Sequence, residues 1–129
     1  MRVLVLDDIE HRHNIFDTIY QGHEVVHAYL YTGFCNKLIQ GVWDLVHLDH
    51  DLSDFVDNAD TYVDGWGNIR AYNGGHAAMR VCELENPPKV IIHSVNPVGA
   101  KIMRQMLERA GVEVTWEPFG ESSVGFPIE

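Results

Sequence analysis

The stretch VHLDHDL, Val46 to Leu52, closes an apolar run on three consecutive polar residues, Asp49, His50 and Asp51. Its reading decides the fold. A continuous apolar run too short for a helix is the signature of a strand buried on both faces. Two other runs end alike: VLVLDD stops on Asp7 and Asp8, and VIIHSVN carries His93, Ser94 and Asn96. Buried strands seldom stop on acids and histidines. Three that do so in one short chain point to a shared polar site.

Working outward, apolar strands alternate with helical stretches. Strands are expected at Arg2–Asp8, His23–Tyr29, Asp44–Leu52, Lys89–Asn96 and Val112–Glu117. Helices are expected at Ile9–Gly22, Tyr31–Gly41, Gly74–Glu85 and from Pro97 to Gly111, with glycines or Asn86-Pro87-Pro88 as stops. Continuous apolar strands joined by helices make an α/β three-layer sandwich, a parallel sheet covered on both faces. Ligands in such folds bind beyond the carboxyl ends of the strands, at the switch point between the first and third. Asp7, Asp8 and Asp49–Asp51 fall there. Ser53–Asn73 breaks the rhythm, with Asp54, Asp57, Asp60 and Asp64 and the turn signals Asp64-Gly65 and Gly67-Asn68. It reads as an acidic insertion, either a lid or a disordered loop. Residues 120–129 read as a tail, so the whole of 1–129 is one domain.

The 129 residues carry a formal net charge of -10, which repels polyphosphate backbones and argues against broad binding to duplex nucleic acid. A small nucleotide, or an RNA end held at a metal, remains compatible. No apolar run is long enough to span a membrane, and MRVLVLDDIE has the pattern of a first strand, not of a secretory signal. Cys35 and Cys82 lack metal-type spacing and read as free thiols of a cytoplasmic protein.

Asp7, Asp8, Asp49 and Asp51 around one crevice repel each other, so some are protonated or a cation is present. A hard divalent ion, Mg²⁺ or Mn²⁺, satisfies oxygen ligands of this kind. The competing reading makes Asp8 and Asp51 simple caps and leaves Asp7 and Asp49 solvated. Strand alternation puts Asp49 and Asp51 on one face and turns His50 to the other, where it either packs or assists. His93 is then the better group for proton transfer. A site built from His50, His93 and carboxylates would also suit a transition metal. Ser94 and Asn96, at the start of the helix opened by Pro97, suit phosphate oxygens, or Asn96 caps that helix. Arg12 lies one turn into the first helix and either reaches an anion or is solvated. His76 stands at another helix start near the mouth.

This pattern resembles a response-regulator receiver domain, which implies a flavodoxin-like sheet of order 2-1-3-4-5. In that resemblance Asp7-Asp8 match the acidic pair that holds Mg²⁺, Asp49 the phosphorylated aspartate, and Ser94 the switch hydroxyl. Trp116-Glu117-Pro118-Phe119 is similar to the Lys-Pro-Phe end of the fifth strand, but Glu117 replaces the lysine that pairs with the phosphoryl group. Reversing that charge argues against ordinary aspartyl phosphorylation. The motifs DDIEHR (Asp7–Arg12), LDHDL (Leu48–Leu52) and IHSVNP (Ile92–Pro97) together resemble cyclic-phosphate processing receiver domains. The resemblance implies metal-assisted hydrolysis of a cyclic phosphate, on a small cyclic nucleotide or an RNA end. Asp7, Asp8, Asp49 and Asp51 would bind the cation. His93, Asp49 and His50 would be catalytic, and Ser94, Asn96 and Arg12 would hold the phosphate. The alternative is a non-catalytic atypical receiver that binds a ligand or partner.

Overall fold

A computed structural model describes residues 1–52 and 60–119. The chain runs β1 (Arg2–Leu6), α1 (Glu10–Ile19), β2 (Glu24–Ala28), α2 (Tyr31–Gln40), β3 (Leu45–Leu48), β4 (Thr61–Val63), β5 (Ile69–Ala71), α3 (Gly74–Cys82), β6 (Lys89–Ile92), α4 (Pro97–Arg109) and β7 (Val114–Trp116). The main sheet is parallel with order β2-β1-β3-β6-β7. Leaving out β4 and β5, which form their own antiparallel pair, this is the expected 2-1-3-4-5 order.

Strand alternation splits the core in two. Leu4, Leu6, Val46, Leu48, Val90 and Ile92 face α2, α3 and α4, where Phe34, Val81, Met103 and Leu107 meet them, all essentially without exposure. Val3, Val5, Leu45 and Ile91 point the other way, onto Phe16 of α1 and Tyr20 at its C-terminal cap. His47 and His93 continue this second row, two residues beyond Leu45 and Ile91, and both are fully buried. None of the helices among the described residues is long and apolar enough to cross a membrane.

Two expectations need correction. The strands are shorter than their apolar runs: β1 ends at Leu6, β3 at Leu48 and β6 at Ile92, so Asp7, Asp8, Asp49, His50, His93 and Ser94 lie just past strand ends. The insertion, expected to be a lid or a loop, forms the β4–β5 hairpin over part of its length. Asp54 and Asp57 lie outside the described residues. Asp64 closes the hairpin turn by accepting the amides of Trp66 (2.9 Å) and Asn68 (3.0 Å) and the Arg70 guanidinium (2.8 Å). Asp60 is buried and caps α2 from outside that helix, accepting the Tyr31 amide at 2.7 Å and the Thr32 amide at 3.1 Å. Those acids are therefore structural partners of backbone N–H groups, which composition alone could not distinguish from a charged lid.

Candidate functional site: an acidic crevice at the carboxyl ends of β1, β3 and β6

Parallel pairing brings the three strand ends together. The Asp7 amide bonds to the Ala28 carbonyl, the Asp49 amide to Leu6 and the His93 amide to Leu48, each continuing a sheet ladder by one residue. Asp7 is fully buried, with Asp8 and Asp49 at 5% and 4% exposure. Oδ1 of Asp7 accepts the Ile9 amide (2.8 Å); Oδ2 accepts Nε2 of His93 (2.7 Å) and faces the Arg12 guanidinium (3.3 Å). The same Arg12 nitrogen is 3.4 Å from Asp49 Oδ2. Arg12 thus bridges two carboxylates from the first turn of α1, steadied by the Phe119 ring 5.3 Å away.

The two acids have opposite electrostatics. Burial pushes Asp7 up, but the hydrogen bond from His93, the Ile9 amide and Arg12 more than offset this, and its carboxyl lies below the usual range. Asp49 is driven up to about 8 by burial and by the charge of Asp7, with Arg12 only partly opposing and Asp8 adding to the rise. His93 is pulled down by burial despite Asp7 beside it, so it is a neutral ring donating Nε2–H to a carboxylate. Its Nδ1 is buried with no hydrogen-bond partner among the described residues.

Asp7, Asp49 and His93 offer one ligand atom each within 4.8 Å of one another. The two carboxylates of this group fit a divalent cation, with the His93 Nε2–H committed to Asp7. The fit rests on Asp49: Arg12, at 3.3 and 3.4 Å, is too distant for a short charged hydrogen bond and leaves the second carboxyl only partly compensated. Asp8 borders the group and contributes its field.

Asp51 does not join the other acids. Because β3 stops at Leu48, alternation no longer applies, and Asp51 turns outward with 61% of its side chain exposed. Its Oδ1 is 2.8 Å from His50 Nδ1. His50 is only 20% exposed in its side chain and lies across α4 at Gly99, where a Cβ would collide with the imidazole. Its own amide bonds to Asp49 Oδ1 at 2.9 Å. His93 stands with the crevice acids as expected, but it is fully buried there, whereas His50 packs against α4 and keeps part of its ring exposed. His93 is sealed behind Asp7, and His50 is the histidine that solvent reaches.

Ser94 and Asn96 are occupied locally. Ser94 is 1% exposed, and its hydroxyl accepts the Asn96 amide at 3.1 Å. Asn96 caps α4 through Gly99 (3.1 Å) while its amide nitrogen lies 3.4 Å from Asp51. Glu117 accepts the Thr115 hydroxyl at 3.1 Å and raises the Tyr20 phenol, already pushed up by burial. Phe16, His47 and Phe119 surround the His93 ring, and the Tyr20 hydroxyl bonds to His47; of these the period-two spacing of His47 after Leu45 is the signal that the sequence carries.

A five-stranded parallel sheet of this order, with an acidic crevice at its switch point, defines the receiver class of fold. The chain belongs to the cyclic-phosphate processing receiver domain family, whose family model matches residues 2–109. Its fold is similar to that of a CheY-like receiver domain protein from Methanospirillum hungatei JF-1, with a TM-score of 0.70 at 16% identity, covering 95% of this chain and 84% of that one. It is also similar to response regulator protein TrrA of Thermotoga maritima, solved in complex with Mg(2+)-BeF, with a TM-score of 0.64 at 18% identity, covering 95% and 91%. A receiver domain from Methylobacillus flagellatus gives 0.67 at 12% identity, covering 96% and 90%. No curated relative matches the chain.

Proposed function

We propose that the chain hydrolyses cyclic phosphodiesters, of the five-membered type found in nucleoside 2′,3′-cyclic phosphates, at the crevice formed by Asp7, Asp49 and His50. The observation that carries this reading is the coexistence, one residue apart, of an under-compensated carboxyl (Asp49, up to about 8) and a solvent-reachable histidine paired with a carboxylate. The family name supplies the substrate class.

Asp7 and Asp49 would hold a divalent cation, with Asp8 adding to the field and His93 fixing Asp7. Bound there, the ion would supply charge neutralisation for the phosphoryl oxygens and a more acidic water. Asp51 accepts the Nδ1 proton of His50 and leaves Nε2 with a lone pair. His50 accepts a proton from water as the water oxygen bonds to phosphorus. The bond from phosphorus to one ribose oxygen breaks, and His50 returns the proton to that oxygen. The product is a phosphomonoester. Arg12 is placed to share the developing charge.

Incubation with a nucleoside 2′,3′-cyclic phosphate and Mn²⁺ should yield a 2′- or 3′-monophosphate. His50→Gln should slow turnover by about 10²–10⁴-fold, the usual worth of a positioned acid–base group. Absence of product across divalent ions from a folded protein would leave the non-catalytic reading, in which Arg12 is itself the resident cation of the crevice and the domain serves as a ligand- or partner-binding module.

A further inference from the structure

We propose that the ring cluster of Tyr62, Tyr72 and His76 is a nucleobase subsite beside the crevice, so that the substrate is a nucleoside 2′,3′-cyclic phosphate, free or at the 3′ end of an RNA. The proposal rests on the hydrolytic reading above and adds what lies beyond the phosphate.

The insertion that interrupts the alternation of strands and helices delivers these rings. Tyr62 lies on β4, Tyr72 follows β5, and His76 is in the first turn of α3. Their centroids are close: Tyr62 to Tyr72 at 4.8 Å, Tyr62 to His76 at 5.3 Å and Tyr72 to His76 at 5.1 Å. All three are partly exposed, whereas Tyr31, stacked on Tyr72 at 4.2 Å and 16°, is buried. Anchoring the hairpin requires less than this. The Asp60 carboxylate ties it to α2, the Tyr72 amide bonds back to Asp60 (3.2 Å), and the Tyr31–Tyr72 stack completes the seat. Tyr62 and His76 are additional. They meet edge to face at 68°, and neither carries a flat ring stack among the described residues.

The cluster adjoins the reacting groups. α3 starts at Gly74, whose amide bonds to the His50 carbonyl at 2.8 Å and whose α-carbon is so close to Asp49 that a Cβ would strike its carbonyl. His76 is two residues further on. Burial, opposed by the Asn73 cap, and the neighbouring His50 hold His76 in its neutral form, suited to stacking rather than to ion pairing. The chemistry of the chain supports the same choice. With a net charge of -10 and a crevice of carboxylates, basic contacts to phosphates beyond Arg12 add little affinity for a nucleotide. Stacking on aromatic faces is indifferent to that charge and accepts any base.

The test is calorimetric titration of the whole chain, with Mn²⁺, against cytidine 3′-monophosphate and against glycerol phosphate, which lacks a base. The nucleotide should bind on the order of tenfold tighter, the scale of one stacked base. Tyr62→Leu should erase that preference while leaving glycerol phosphate unchanged, and Tyr62→Phe should restore it. Equal binding of both ligands by the wild type overturns the proposal without recourse to any variant, so a misfolded Tyr62→Leu does not shelter it. A tetranucleotide ending in 2′,3′-cyclic phosphate separates the sources. Affinity matching the mononucleotide assigns recognition to the terminal nucleoside alone. Tighter binding that Tyr62→Leu weakens assigns an RNA end, and tighter binding that survives Tyr62→Leu overturns the subsite. Turnover without base preference removes the subsite and keeps the hydrolytic reading. Base preference without turnover does the reverse.

Discussion

His93 donates Nε2–H to Asp7 Oδ2 at 2.7 Å with neither side chain exposed at all, so the innermost acid of the crevice is held from below by a neutral imidazole. This pair settles what each residue can do. Asp7 remains ionised inside the protein, and His93 has no solvent path along which to move a proton. Replacing His93 by alanine strands a buried carboxylate and opens a cavity. We expect a loss of roughly 3 kcal/mol in chemical denaturation, with His93→Gln recovering part of it through a new N–H donor. A stability change below about 1 kcal/mol, within the range of a surface substitution, would contradict the pairing.

Asp49 makes the opposite prediction for pH. Its folded carboxyl, at about 8, lies above the unfolded value of 3.8. Between these the folded state binds the extra proton, so the contribution of Asp49 to stability is fully present below the unfolded value. It is lost as pH rises through the folded one. The cation-free protein should therefore weaken by about 1–3 kcal/mol between pH 6 and pH 8. Asp49→Asn should flatten that slope, measured by denaturant titration at each pH. An unchanged slope in the variant would place the proton elsewhere.

Divalent cation should counter the same penalty. Mn²⁺ or Mg²⁺ should raise the melting temperature most at pH 8, where Asp49 is charged, and chelation should reverse the gain. Asp7→Asn or Asp49→Asn should abolish the response, whereas Asp51→Asn should leave most of it, because Asp51 pairs with His50 outside the group.

Gly99 tests the placement of His50. A methyl group there collides with the imidazole, so Gly99→Ala must displace the ring. Alanine also favours the helix by about 1 kcal/mol over glycine, and the net effect on folding should be small. Turnover should still fall by at least tenfold, since small misplacements of a reacting group are costly. Retained activity would show that His50 is dispensable. Gly74→Ala meets the Asp49 carbonyl, which is backbone, and should destabilise the fold outright.

The Asp60 cap offers a check that is independent of the chemistry. Asp60→Ala removes the acceptor for two amides of α2 and should cost about 1–2 kcal/mol, detectable as a lower melting temperature with phosphate-site metal binding retained.

The apolar strands were legible because burial on both faces leaves a continuous run of Val, Leu and Ile that no surface element shares. Their parallel order and the convergence of Asp7 and Asp49 followed from that pattern with the family resemblance. The hairpin within the insertion is not legible because Asp60 and Asp64, which accept backbone amides, have the same composition as a solvated acidic loop. Alternation, which would put Asp51 beside Asp49, does not extend past Leu48, where the strand ends.

The class of fold and the set of polar groups at its carboxyl edge are written in the chain locally, since hydrophobic periodicity and strand-end chemistry are local properties. The tertiary structure alone decided their division of labour. Burial sets the protonation of Asp49 and seals His93, and a glycine on α4, distant in sequence, makes room for His50. These are effects of neighbours brought in by packing, and no local pattern encodes them.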